Sequence, residues 1–209
     1  MNIIIPARKG SKGFPEKNRL LLGYTLDTIP KRWHENTIIS TDDEVISEHV
    51  RREYPNIKIH ERSDNGAVDT ASTKECLAEV IDSYSLSGVV VMLYLTYPER
   101  TWGEVMKAVA WFEEKNAKSL LCKEDVKTHP YMCIYDEGDK GKQIIKHDLY
   151  RRQDYPACFK ISHFISAFRT EELEALNQNL YNEDTYFYEI PKSVDIDYKE
   201  DYEIYKSNS

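Results

Sequence analysis

The chain has no surplus of basic side chains. Lys and Arg number 28 against 36 Asp and Glu over 209 residues, a formal net charge of −8. Bulk electrostatics therefore oppose non-specific attachment to nucleic acid or to an anionic membrane. Cysteine is sparse: Cys76, Cys122, Cys133 and Cys158 form no C-x-x-C pair, and none stands at zinc-ligand spacing from a histidine. Reduced thiols are the natural reading. No charged N-terminal region leads into a long apolar run, and no apolar run reaches membrane-spanning length. The expectation is a cytoplasmic protein with neither a nucleic-acid nor a membrane partner. Internal repeats, low-complexity tracts and linkers are missing too, so a single domain over residues 1–209 is expected. Apolar residues at 41% allow a sizeable core, with too little polarity for a disordered chain.

What is present alternates. Asn2–Pro6 is a short apolar run ended by proline, as in a buried strand. Leu26, Ile29 and Trp33 fall at helical spacing over Tyr24–Trp33, interrupted by Pro30. Thr37–Thr41 reads as a strand, followed by a helix with Thr41 as N-cap, acids in the first turn and basic residues near the end. "NIKIHER" is a further strand and "DTASTKECLAEVIDSY" a further helix. "SGVVVMLYLTYP" shows no alternation, which suits a central strand covered on both faces. Helix Thr101–Asn116 and strand Lys118–Cys122 repeat the unit. The pattern breaks over residues 123–157, an excursion that could serve as a dimer contact. "CFKISHFISAF" returns as a strand, then helix Glu171–Asn177, strand Tyr186–Ile190 and a helix after Asp197. This order implies an α/β fold with a doubly wound, mostly parallel sheet, whose ligands gather at the carboxyl ends of its strands.

The loop after the first strand, "ARKGSKGFPEKN", concentrates Arg8, Lys9, Lys12 and Lys17 on an acidic background. It has neither the G-x-x-x-x-G-K-[ST] spacing of a Walker loop nor the G-x-G-x-x-G of a dinucleotide fingerprint. The plainer account is a solvated loop; the sharper one is a phosphate site of another kind. Asp195 and Asp197 in "SVDID" are two apart, so on an extended segment both carboxylates face one way. Such a pair suits Mg²⁺, which takes a few carboxylates and completes its shell with phosphate and water.

The string "IIPARKGSKGFPEKN" resembles the signature I-x-A-R-x-x-S-K-G-[IL]-x-x-K-N of the acylneuraminate cytidylyltransferases. "STDDEVI", "RSDNGAVDTAS", "YRRQDYP" and "SVDIDYKEDYEI" resemble further motifs of that family in the same chain order. The resemblance implies transfer of CMP from CTP to the anomeric hydroxyl of a 2-keto sugar acid, with release of pyrophosphate and a requirement for Mg²⁺. It implies catalytic roles for Arg8 and Lys17 on the triphosphate, and for Arg152 on the acidic sugar or the leaving phosphate. Lys12, Ser11, Asn18, Arg62, Ser72, Tyr94 and Arg151 become substrate-binding candidates, and Asp195 and Asp197 the metal ligands. Ser11 and Gly13 would let the loop fold close to the nucleotide. Asp69 stands equally well as a helix cap or a pocket residue, and Asp201 as a first-turn helix acid. Partners implied are CTP, an acidic sugar and a second copy of the chain.

Two departures fall on the acceptor side. The family pattern L-Q-P-T-S-P-L-R appears as "LYLTYPER", placing Tyr94 at the glutamine and Tyr97 at the serine. The pattern N-G-A-I-Y-I appears as "SHFISA", placing His163 at the glycine, either reshaping the pocket or packing in the core. "PEKN" favours the sialic-acid branch over the Kdo branch, whose loop typically ends Pro-Gly-Lys-Pro. The rival readings are a nucleotidyltransferase of similar fold with another base or sugar, and a non-catalytic nucleotide-binding module.

Overall fold

The computed structural model describes residues 1–11, 13–63 and 72–208. Seven strands form the main sheet: β1 (Asn2–Pro6), β2 (Thr37–Thr41), β3 (Lys58–Glu61), β4 (Val89–Met92), β5 (Ser119–Asp125), β8 (Phe159–Arg169) and β9 (Tyr186–Glu189). A separate antiparallel pair, β6 (Ile134–Asp136) and β7 (Gly141–Gln143), lies within the excursion. The helices are α1 (Lys17–Leu26), α2 (Glu44–Glu53), α3 (Thr73–Ser83), α4 (Trp102–Glu114) and α5 (Lys199–Asn208). None is long and apolar enough to cross a membrane, among the described residues.

The main sheet runs β3-β2-β1-β4-β8-β5-β9, parallel throughout except for β8, which is antiparallel to both β4 and β5. Alternation along β1 explains the layers. Ile3 and Ile5 enter one buried cluster with Val91, Leu21 and Phe112; Ile4 enters the other with Leu77, Val80 and Phe168. A strand buried on both faces needs no polar side, which is why β2 and β4 read as unbroken apolar or small-residue runs. The fourth strand sits at the middle of the seven, as its composition implies.

Several local expectations are corrected. The first helix starts at Lys17 and stops at Leu26; Pro30, which lacks an N–H, instead opens a 3-10 turn over Lys31–Asn36. The N-cap of α2 is Asp43, not Thr41. Thr41 still ends β2, its hydroxyl donating to the Ala7 carbonyl at 2.6 Å and accepting from the Asp43 amide at 3.0 Å. The fifth strand continues to Asp125, so residues 123–125 belong to the sheet and not to the excursion. The segment Thr170–Ala175 forms 3-10 turns in place of an α-helix.

Asp43 ties α1 to α2. Its carboxylate accepts from Val45 N at 3.1 Å and from the Arg19 guanidinium at 2.7 and 3.0 Å. Burial opposes the charge, but these donors outweigh it and hold the carboxyl below its ordinary value of 3.8. A carboxyl lowered on folding stabilises above its unfolded value and loses that contribution as pH falls through the folded value. Asp43→Asn should therefore cost about 1–2 kcal/mol at pH 7, with the difference from the unsubstituted chain shrinking below about pH 4, measured by urea unfolding across pH.

Candidate active site

A cleft of about 320 Å³ opens where β1 and β4 end and their loops depart. Arg8 and Ser11 of the opening loop line one side, with Lys17 and Asn18 from the first turn of α1. Asn18 secures the loop by donating its side-chain amide to the Arg8 carbonyl at 2.8 Å, and Lys9 N donates to Asp42 Oδ1 at 2.7 Å. Gly10 holds a φ of +70°, a turn that suits a residue without Cβ. The close approach at Gly13 is to the C-terminal segment: a Cβ there would stand 3.0 Å from the Tyr198 ring and 3.2 Å from the Asp197 carbonyl oxygen.

Across the cleft stand Asp195 and Asp197. Lys17 Nζ lies 2.9 Å from Asp197 Oδ1, so the cationic loop and the late carboxylates meet directly. Asp195 accepts from the Tyr97 hydroxyl at 2.9 Å. Burial pushes the Asp195 carboxyl up, and the Asp197 charge adds to this; hydrogen bonds from Thr96 and Tyr97 oppose them. Asp201 is an acid of the last helix's first turn, its carboxylate accepting from Asp197 N at 3.1 Å and Tyr198 N at 2.9 Å. The helix α5 packs back on the loop through Phe14 against Tyr202 and on α1 through Tyr24 against Tyr205, each with ring centroids 5.7 Å apart.

The third wall comes from β3, α3 and the segment after β4. Arg62 reaches it while donating Nε to the Ser40 carbonyl at 3.2 Å. Ser72 lines the cleft and also caps α3, in a reciprocal box with Glu75. Tyr94 bonds Thr73 Oγ1 at 2.6 Å, and its ring meets His163 edge-on at 5.7 Å. Burial pushes the His163 imidazole below its ordinary value, leaving it neutral at pH 7. Behind this wall the buried Arg100 donates to the carbonyls of Phe164 and Tyr94 at 2.8 and 2.7 Å. Burial lowers its pKa to about 10, so it stays charged at neutral pH.

Nine of the anticipated residues thus share one cleft: Arg8, Ser11, Lys17, Asn18, Arg62, Ser72, Tyr94, Asp195 and Asp197. Lys12 and Asp69 lie outside the described residues. Within one chain, Arg151 and Arg152 do not line it. Arg151 pairs with Asp154 at 2.8 Å, and Arg152 borders a separate hollow with His129, Met132 and Tyr155. The excursion that carries them joins β5 to its sheet neighbour β8 and holds its own antiparallel pair, β6 with β7. Thr73, Thr96 and Tyr97 were not singled out as site residues; only the departure at Tyr97 signalled one of them.

Among the described residues no three His, Cys, Asp or Glu side chains gather in a metal cage. Two carboxylates facing a cationic loop instead fit an ion that draws the rest of its shell from phosphate and water.

A family model described as cytidylyltransferase matches residues 2–207. The chain belongs to the cytidylyltransferase family. It is 26% identical to the N-acylneuraminate cytidylyltransferase of Streptococcus agalactiae serotype V, over 95% of this chain and 51% of that protein. The serotype III protein of the same name matches with the same figures. The chain thus spans about half the length of the curated relatives it matches. Among solved structures, CMP:2-keto-3-deoxy-manno-octonic acid synthetase complexed with CTP superposes with a TM-score of 0.71 at 14% identity, covering 99% of this chain and 97% of that one. A cytidylyltransferase from Leptospira borgpetersenii gives 0.60 at 18% identity, covering 99% and 84%. The chain therefore shares its mostly parallel α/β fold with these solved structures.

The Lys17–Asp197 pair has one member open to solvent, Asp197 at 61% side-chain exposure. Such pairs contribute about 1 kcal/mol at most. Asp197→Ala should accordingly leave the fold intact with a loss no larger than that, checked by thermal and urea denaturation.

Proposed function

We propose that this cytidylyltransferase transfers CMP from CTP to the anomeric hydroxyl of a sialic-acid-like 2-keto sugar acid, releasing pyrophosphate. The observation that carries the reading is the meeting of Arg8 and Lys17 with Asp195 and Asp197 in one cleft at the strand ends. The names of the sequence relatives and the CTP held by one structural neighbour support it.

Arg8 offers a planar fork to the triphosphate oxygens, and Lys17 a mobile ammonium beside them. Asn18 holds the loop that carries Arg8 and faces the nucleotide. Arg62 adds a further cation on the nucleotide side. The sugar's anomeric oxygen forms a bond to the α-phosphorus, and the bond from that phosphorus to the bridging oxygen breaks. Pyrophosphate leaves with that electron pair, and the hydroxyl proton passes to solvent. Positioning and charge stabilisation supply most of the acceleration in such a transfer. Asp195 and Asp197 would hold Mg²⁺, which when bound neutralises charge on the triphosphate. Tyr94 and His163 form the acceptor wall.

The test mixes the protein, CTP and Mg²⁺ with sialic, legionaminic, pseudaminic and Kdo-type acids and measures pyrophosphate. Release with one of the acids is expected, falling roughly 100-fold or more in Asp197→Ala. Binding of CTP with no release from any acid would replace the reading by a nucleotide-binding module. Preference for UTP or GTP in competition would replace the base.

Arg152 belongs in the same reading through a homodimer. The excursion exposes Met132, Ile134, Tyr135, Ile144, Ile145 and Tyr150, a concentration of apolar surface that a second copy would cover. From there Arg151 and Arg152 would approach the partner's sugar carboxylate. Sedimentation equilibrium should give twice the chain mass of 24.5 kDa; a monomer at micromolar concentration would remove the dimer from the reading.

A further inference from the structure

Tyr97 has no part in the transfer described above, yet it is among the most constrained side chains of the cleft. The residue is 4% exposed. It stands edge-on against Phe164, centroids 5.5 Å apart, with the Arg100 guanidinium 5.9 Å from its centroid. Arg100 is itself fixed by two backbone carbonyls, so the ring has no room to turn away. The phenol therefore has one direction in which to point. It donates to Asp195 Oδ2 at 2.9 Å. The adjacent Thr96 accepts at its carbonyl from Ile196 N at 2.9 Å, fixing the main chain beside that carboxylate. Two neighbouring residues after β4 thus grip the segment that carries both late aspartates.

We propose that Tyr97, with Thr96, is the positioning residue of the cation site, holding Asp195 in the one orientation that presents its carboxylate beside Asp197. This rests on the reading of Asp195 and Asp197 as metal ligands. A carboxylate already oriented by a fixed donor gives up less rotational freedom when it ligates, and loss of such a partner typically weakens metal binding about 10- to 100-fold. A serine at position 97, as in the resembling motif, could not span the same gap. Here the supporting donor stands on a long, rigid side chain anchored in the core.

The experiment titrates Mn²⁺ into the protein with CTP and no acceptor, reading free Mn²⁺ by electron paramagnetic resonance so that turnover plays no part. Tyr97→Phe keeps the ring contacts and removes one hydroxyl. It should weaken Mn²⁺ binding about tenfold or more while CTP affinity without metal stays within about twofold. In the Asp195→Asn background, Tyr97→Phe should add nothing further. If Tyr97→Phe does not fold, Tyr97→Leu makes the comparison, since it also removes the hydroxyl and should lose Mn²⁺ affinity to a similar extent. Unchanged Mn²⁺ affinity in the folded variants, or an equal loss of metal-free CTP affinity, would overturn the positioning role alone. No Mn²⁺ uptake by the unsubstituted protein would overturn the cation site and this inference with it, whatever the pyrophosphate assay reports.

Discussion

The ion pair between Lys17 and Asp197 joins residues 180 positions apart, and the site is organised around that junction. One partner opens the first helix and the other precedes the last. Neither element defines a cleft alone. The opening loop supplies cations without a floor, and the late segment supplies anions without a facing wall. Their attraction is modest in solvent, but the aromatic contacts of Phe14 and Tyr24 with the final helix give it a fixed distance over which to act. Charge thus sets the chemistry of the junction, and packing sets its geometry.

The same division appears in the wall opposite. An acidic chain has reason to concentrate its cations where anions bind and to keep them elsewhere in pairs, as Arg19 with Asp43 and Arg169 with Glu113. Arg100 follows neither rule. It is buried, bonded to carbonyl dipoles instead of a carboxylate, and stays charged despite its desolvation. A buried cation of this kind is costly unless its donors are used, and here they join the strand end at Tyr94 to the antiparallel strand at Phe164.

Much of this was legible in the chain before its structure. The cationic loop declared itself by contrast with the net charge, and Asp195 and Asp197 by their two-residue spacing. The middle strand was legible because a short, β-branched apolar run without alternation suits a strand covered on both faces. What escaped has physical causes. The start of α1 at Lys17 carries no capping side chain, so nothing local marks it. The reversal of β8 leaves no trace in its composition, since direction is set by connectivity and not by residue pattern. Arg151 and Arg152 were read from a motif, whereas their distance from the cleft depends on where the excursion projects. Tyr97 looked like a mere exchange for a smaller residue because its partner lies 98 positions away. Ser72 shows the opposite overlap, a residue assigned to the pocket that also performs the capping role considered for Asp69.

The stitch made by Arg100 carries a consequence for how such a wall can evolve. With the carbonyls of Tyr94 and Phe164 pinned to one guanidinium, the main chain on that side cannot drift to accommodate a differently shaped guest. Divergence in what the wall admits must then proceed by swapping side chains at 94 and 163 on an unmoving frame. Discrimination would change in discrete steric steps, not by gradual loop remodelling.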